Sequence, residues 1–140
     1  MATASTGRVA TSIGRQGVYL ACASLEAIGA SASIVEQDGF DVVAVYKGQI
    51  YRVEVKGTTK MNANKYPFMT SKGGVKRMIS PDECDIVALV DIVGRRCYYM
   101  PAKKVAHIKT SLYDHEFTDE FLLFTNSVKL VNEERENGLE

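Results

Sequence analysis

Residues 39–59 read GFDVVAVYKGQIYRVEVKGTT, and where this stretch bends decides the fold. Asp41–Tyr46 and Gln49–Val55 are two runs rich in Val, Ile and Tyr, the composition of half-buried strands. Between them, Lys47-Gly48 is a natural two-residue hairpin loop, because glycine accepts a positive φ that most residues resist. Such a loop pairs Tyr46 with Gln49 and Val45 with Ile50, and the ladder carried outward sets Asp41 opposite Glu54. Side chains alternate across the pleat. One face therefore carries Asp41, Val43, Val45, Ile50, Arg52, Glu54 and Lys56. The other carries Val42, Ala44, Tyr46, Tyr51, Val53 and Val55, and is expected against the core.

The charged face needs a cause. Two carboxylates facing each other on a sheet repel unless something positive lies between them. Lys56 offsets part of that repulsion, and a divalent cation offsets far more. Mg²⁺ takes oxygen ligands, keeps several waters, and commonly uses one or two carboxylates plus a substrate phosphate. Asp41 and Glu54 are therefore the candidate metal ligands, with the carbonyl of Val55 beside them. Mg²⁺ is the expected ion and Mn²⁺ its expected substitute. Lys56, on the same face, is the candidate catalytic amine, orienting a water or steadying charge that grows on a phosphate. The competing reading is a solvated strand in which Lys56 merely pairs with an acid, since E-x-K alone is common in strands.

Downstream, the charge pattern supplies a ligand class. From Lys56 to Arg77 there are six basic residues and no acid, whereas the stretch from Asp114 onward carries eight acids against Lys129 and Arg135. The net charge of +0 thus hides a basic middle and an acidic end. Lys60, Lys65, Lys72, Lys76 and Arg77, spread over a Gly-containing loop, suit a phosphate backbone, and Thr58 and Thr59 add neutral donors. Tyr66 and Phe68 are expected to pin this loop to the core. No helix suited to reading bases is evident.

At 140 residues the chain is expected to form one domain, 1–140, with a single sizeable core. No apolar run approaches the ~20 residues of a membrane span, so no membrane role is expected. Cys22, Cys84 and Cys97 are an odd number with no C-x-x-C spacing, which favours a reducing, cytoplasmic setting over disulfides or structural zinc. His107 and His115 lack partners at zinc-finger spacing and are expected at the surface or satisfied by a neighbouring group. The acid-free, Ser/Thr-rich N-terminus superficially suggests a transit peptide, but its two arginines and the pair Gly14 and Gly17 fit that poorly.

Along the rest of the chain, apolar spacing predicts a helix over about Val9–Ile28, stopped by Gly29, with residues 1–7 frayed. Ser31–Glu36 reads as a first strand, followed by an Asp38-Gly39 turn. Gly57–Pro81 reads as loop. Ile86–Ile92 and Arg96–Met100 form a second hairpin turning at Val93-Gly94. Pro101 opens a short helix through Ile108, and Thr118 caps a last helix beginning at Asp119-Glu120. Phe121, Leu122, Leu123, Phe124, Val128, Leu130 and Val131 make that helix too apolar for a free tail, so it packs on the sheet or builds a subunit contact. The order describes a mixed α/β domain, a sheet with helices packed on it.

The acid, the turn and E-x-K on the next strand resemble the core of the PD-(D/E)XK nucleases. The thirteen-residue step from Asp41 to Glu54 is similar to that of archaeal Holliday-junction resolvases and of the homing endonucleases of group I introns. GRQGVYLACASLEAIG, residues 14–29, resembles their first helix. DIVALVDIVGRRCYYMPAKKV, residues 85–105, resembles the intron-endonuclease branch in particular. The likeness spans about residues 7–105. It implies a restriction-endonuclease-like mixed sheet flanked by helices, Mg²⁺-dependent phosphodiester hydrolysis of DNA by a metal-activated water, and a homo-oligomer, dimer or tetramer. Carried over, Asp41 and Glu54 are the metal ligands and Lys56 the catalytic lysine. Those branches commonly place a Glu where this chain has Val18. The function expected is a DNA endonuclease; a branched-DNA resolvase and a catalytically silent DNA-binding protein are the alternatives.

Overall fold

The structure is a computed structural model that describes residues 2–37, 39–71 and 78–138, with residues 2–10 described by backbone alone. Its elements run α1 (Ala2–Ile28), β1 (Ser31–Gln37), β2 (Phe40–Tyr46), β3 (Gln49–Thr58), β4 (Lys65–Met69), β5 (Ile86–Asp91), β6 (Arg96–Pro101), β7 (Lys109–Tyr113) and α2 (Glu120–Gly138). Five strands form one sheet in the order β1-β2-β3-β5-β6, in which only β3 and β5 run parallel. A separate two-stranded ribbon pairs β4 with β7. The fold class is mixed α/β, as the sequence predicts.

The layers follow from which side chains each strand turns each way. Val42, Ala44, Tyr51, Val53, Ala88 and Tyr99 face α1 and α2, meeting Ala21, Leu25, Phe124 and Val128 in one apolar cluster. On the opposite face, Val87 and Leu89 of β5 meet Tyr66, Phe68 and Leu112 of the ribbon in a second. Every residue of β5 is buried, and its unbroken Ile-Val-Ala-Leu-Val run is what a strand covered on both faces requires. Tyr66 and Phe68 are buried in that second cluster, so they do pin the segment.

β2 and β3 pair as the Lys47-Gly48 loop dictates, from Tyr46↔Gln49 to Val42↔Val53. Lys47 and Gly48 both take positive φ, 49° and 76°, the geometry of a tight hairpin turn. At the sheet's edge, the β1–β2 register shifts between Ile34 and Gln37, and Glu36 there has a φ of 48°. This is a bulge.

Three expectations are corrected. The segment read as loop from Gly57 to Pro81 contains β4, whose partner β7 lies some forty residues on. The helix expected from Pro101 to Ile108 is a single 3-10 turn, Ala102–Lys104. Beyond it the chain extends because Thr70 takes both following carbonyls: its hydroxyl donates to His107 O at 2.6 Å and its N–H to Ile108 O at 2.8 Å. Finally, Asp119 rather than Thr118 caps α2, its Oδ1 accepting from Leu122 N–H at 3.2 Å. A carboxylate suits the positive end of a helix better than a hydroxyl.

α2 divides its apolar residues. Phe124, Val128 and Val131 are buried on the sheet, while Phe121, Leu122 and Leu130 are exposed. α1 is helical already from Ala2, earlier than expected. His107 and His115 are exposed, and the three cysteines are free. Among the described residues, no helix is long and apolar enough to cross a membrane.

Candidate active site

The charges of Arg52, Glu54 and Lys56 separate into two jobs. Arg52 is occupied: its Nη2 meets Asp85 Oδ1 at 3.1 Å, its Nη1 donates to Asp82 O at 2.8 Å, and its backbone N–H donates to Asp85 Oδ2 at 2.7 Å. It clamps β3 to the start of β5. Glu54 and Lys56 lie farther along the same face, toward the strand's carboxyl end.

Glu54 is 5% exposed, and its carboxyl group shares a hydrogen bond with that of Asp41. Asp41 Oδ2 also accepts from Val55 N–H at 2.8 Å. The geometry explains why. The last ladder pair is Val42↔Val53, so the next inward-facing donor on β3 has no backbone partner from β2, and the Asp41 side chain takes its place. A residue's N–H and C=O point to the same side of a strand. The Val55 carbonyl therefore lies along the same edge as the Asp41 carboxylate. Lys56 is close enough for its charge to act on Asp41.

Gly39 makes the approach to this site. Its φ is +102°, and a Cβ built there would lie 2.9 Å from Cβ of Glu83. Only glycine satisfies both conditions, which fixes the backbone two residues before Asp41.

Burial pushes the Asp41 carboxyl up to about 7, helped by the hydrogen bond and charge of Glu54 and opposed by the Val55 N–H and Lys56. With no cation bound, the folded protein then holds a proton here that the unfolded chain, with an ordinary aspartate near 4, has released. Stability is expected to fall as pH rises from about 4 to about 7 and to level off above. Urea midpoints measured in EDTA across that window check this. Asp41→Asn, which keeps an acceptor for Val55 but cannot ionise, is expected to flatten the slope.

The other sequence candidates are dispersed. Thr58 is buried and its Oγ1 accepts from Lys60 N–H at 3.2 Å, so it shapes the turn instead of facing outward. Thr59 and Lys60 are exposed just beyond β3. Lys65 is exposed on β4, its ammonium 5.0 Å from the centre of the Tyr113 ring. Lys72, Lys76, Arg77 and Asp38 lie outside the described residues. On α1, Val18 packs partly buried against the helix-side core. Gln16 is exposed and donates to Ser12 Oγ at 3.2 Å, and Glu26 Oε2 accepts from Ala32 N–H at 2.8 Å. Neither is joined to the acid pair.

Sequence reasoning missed a brace on the same face. Arg96 Nη2 meets Asp91 Oδ2 at 2.9 Å, Asp114 Oδ1 at 2.8 Å and the Tyr66 hydroxyl at 3.0 Å, tying the ribbon to the main sheet. Its members lie up to 48 residues apart in sequence, and no local signal links them.

This is an endonuclease-like arrangement of a mixed sheet flanked by helices. A particular solved structure that shares it is the bacterial homing endonuclease I-Ssp6803I, with a TM-score of 0.66 over 89% of this chain and 95% of that one. Sequence identity is 14%, so the likeness is one of fold. No family model and no curated protein sequence matches the chain.

Proposed function

We propose that this chain is a Mg²⁺-dependent DNA endonuclease of the PD-(D/E)XK type. The observation that carries the proposal is the Asp41–Glu54 pair, two carboxyl groups close enough to share a hydrogen bond, with the charge of Lys56 acting on Asp41. Among the described residues no cluster of three or more His, Cys, Asp or Glu ligands exists, and a two-carboxylate donor set is one that Mg²⁺ accepts. The pair also fits a cation chemically, since it already needs positive charge and otherwise retains a proton. Asp41 and Glu54 would hold the ion, with the Val55 carbonyl along the same edge. When bound, Mg²⁺ would supply Lewis-acid stabilisation to the phosphate and favour ionisation of a water.

The chain's own groups do the rest. Lys56 presents an ammonium to the reacting phosphate and stabilises the charge that grows there. The Val55 N–H holds Asp41 in place, and the Arg52–Asp85 clamp fixes the strand that carries Glu54. Lys60 and Lys65, exposed beyond β3 and on the ribbon, draw the DNA backbone in by charge without reading its sequence. The fold shared with a homing endonuclease supports duplex DNA as the substrate.

The test is conversion of supercoiled plasmid to nicked or linear forms, with Mg²⁺ and with EDTA, beside a synthetic four-way junction. Wild type is expected to cut the plasmid only with Mg²⁺, and Asp41→Ala not at all. Cutting of the junction alone replaces the duplex reading with a resolvase. No Mg²⁺-dependent product from either substrate overturns the proposal.

A further inference from the structure

The parallel strands β3 and β5 end side by side, with Thr58 paired to Asp91 and Ile92 N–H donating to Thr58 O at 3.0 Å. Ligands of open α/β sheets gather beyond the carboxyl ends of such strands. Here α1 crosses close to β3: a Cβ on Gly17 would lie 3.6 Å from Cα of Gly57. Between the helix and the β5–β6 turn this close crossing leaves an open groove, lined by Gln16, Tyr19, Thr59, Val93 and Arg95. Tyr19 is 57% and Val93 75% exposed.

The groove's chemistry is one-sided. Among the described residues, no carboxylate lines it. Arg95 is exposed and makes no ion pair among the described residues, and Lys60 and Arg15, both exposed, are the sequence neighbours of the lining residues Thr59 and Gln16. The nearest acid of the turn, Asp91, is buried and already neutralised by Arg96. Arg95 also has a φ of +55°, a conformation that Gly or Asn would adopt with less strain. The chain thus keeps, at a position that suits it poorly, a guanidinium with no ion-pair partner among the described residues.

We propose that this groove holds a stretch of the DNA sugar–phosphate backbone outside the acid pair, with Arg95 pairing to a phosphate and Tyr19 packing on a deoxyribose. The inference rests on the nuclease reading above and extends its contact surface from Thr59 in the basic segment to α1 and the β5–β6 turn.

The test is fluorescence anisotropy of the full chain on a labelled duplex in EDTA, between about 50 and 200 mM salt. Arg95→Asn removes the charge while tolerating the positive φ. It is expected to weaken binding several-fold at the lowest salt and to lower the slope of log K against log salt by about 1. Tyr19→Ala is expected to weaken binding with the slope unchanged. Tyr19→Ala should melt with wild type and Arg95→Asn at or slightly above it, since both side chains are exposed and Asn takes the positive φ with less strain. If wild type binds and nicks DNA but both variants bind as it does, the inference fails alone. If wild type neither binds nor nicks, the nuclease reading fails with it. A variant whose mass by light scattering falls below that of wild type marks the groove as a contact between copies and overturns the inference.

Discussion

Lys56→Ala is expected to bind duplex DNA nearly as well as wild type and to cleave it about 10²–10³-fold more slowly, the usual loss when one preorganised charge is removed from a transition state. Binding survives because phosphate affinity is shared among many cations, of which Lys60 and Lys65 remain exposed in place. The same substitution removes the charge that holds the Asp41 carboxyl down, so its pKa is expected to rise further. Single-turnover nicking and anisotropy on the same preparation measure the two effects separately. A silent DNA-binding protein with this fold would have no rate to lose and would keep its DNA binding unchanged, and equal nicking by Lys56→Ala and wild type would remove the lysine from the mechanism.

Phe124→Ala should have the largest effect on stability, about 3–5 kcal/mol. Its ring is fully buried and lies edge-on to three tyrosines, 5.4 Å from Tyr46 and from Tyr99 and 6.5 Å from Tyr51. Two of those tyrosines are tethered and cannot collapse into the space. Tyr99 is held by a hydroxyl bond to Ser24 Oγ at 2.8 Å, and Tyr51 by one to Asn132 Oδ1 at 2.8 Å. A loss of that size is a large share of the 5–15 kcal/mol typical of a domain. Leu122→Ala, two residues away but 54% exposed, is expected to change stability by less than about 0.5 kcal/mol. Urea denaturation of both variants checks the contrast.

The hairpin was legible because every determinant is local. A two-residue loop sets the register, alternation sets the faces, and the acids come together as arithmetic. The ribbon was illegible for the opposite reason. β4 is five residues long, contains Pro67, and starts after a tight turn in which Ala63 and Asn64 take positive φ; its partner is remote. Nothing within Gly57–Pro81 announces that pairing. The alternation rule placed Arg52 with Glu54 and Lys56 but carried no information about Asp85, so a structural clamp looked like part of the charged site. The groove beside Tyr19 and Arg95 was hidden likewise, because it exists only where α1 crosses a strand end. For α2, the sequence showed that apolar residues were abundant, and only the packing shows which of them the sheet covers.

The irregular pairing at Ile34–Gln37 bears on self-association. β1 is the outermost strand on its side of the sheet, and a straight outer strand invites another chain to hydrogen-bond alongside it. With its backbone turned out of line at Glu36, β1 offers only a short run of usable donors and acceptors. Fibril-like stacking through that border is disfavoured.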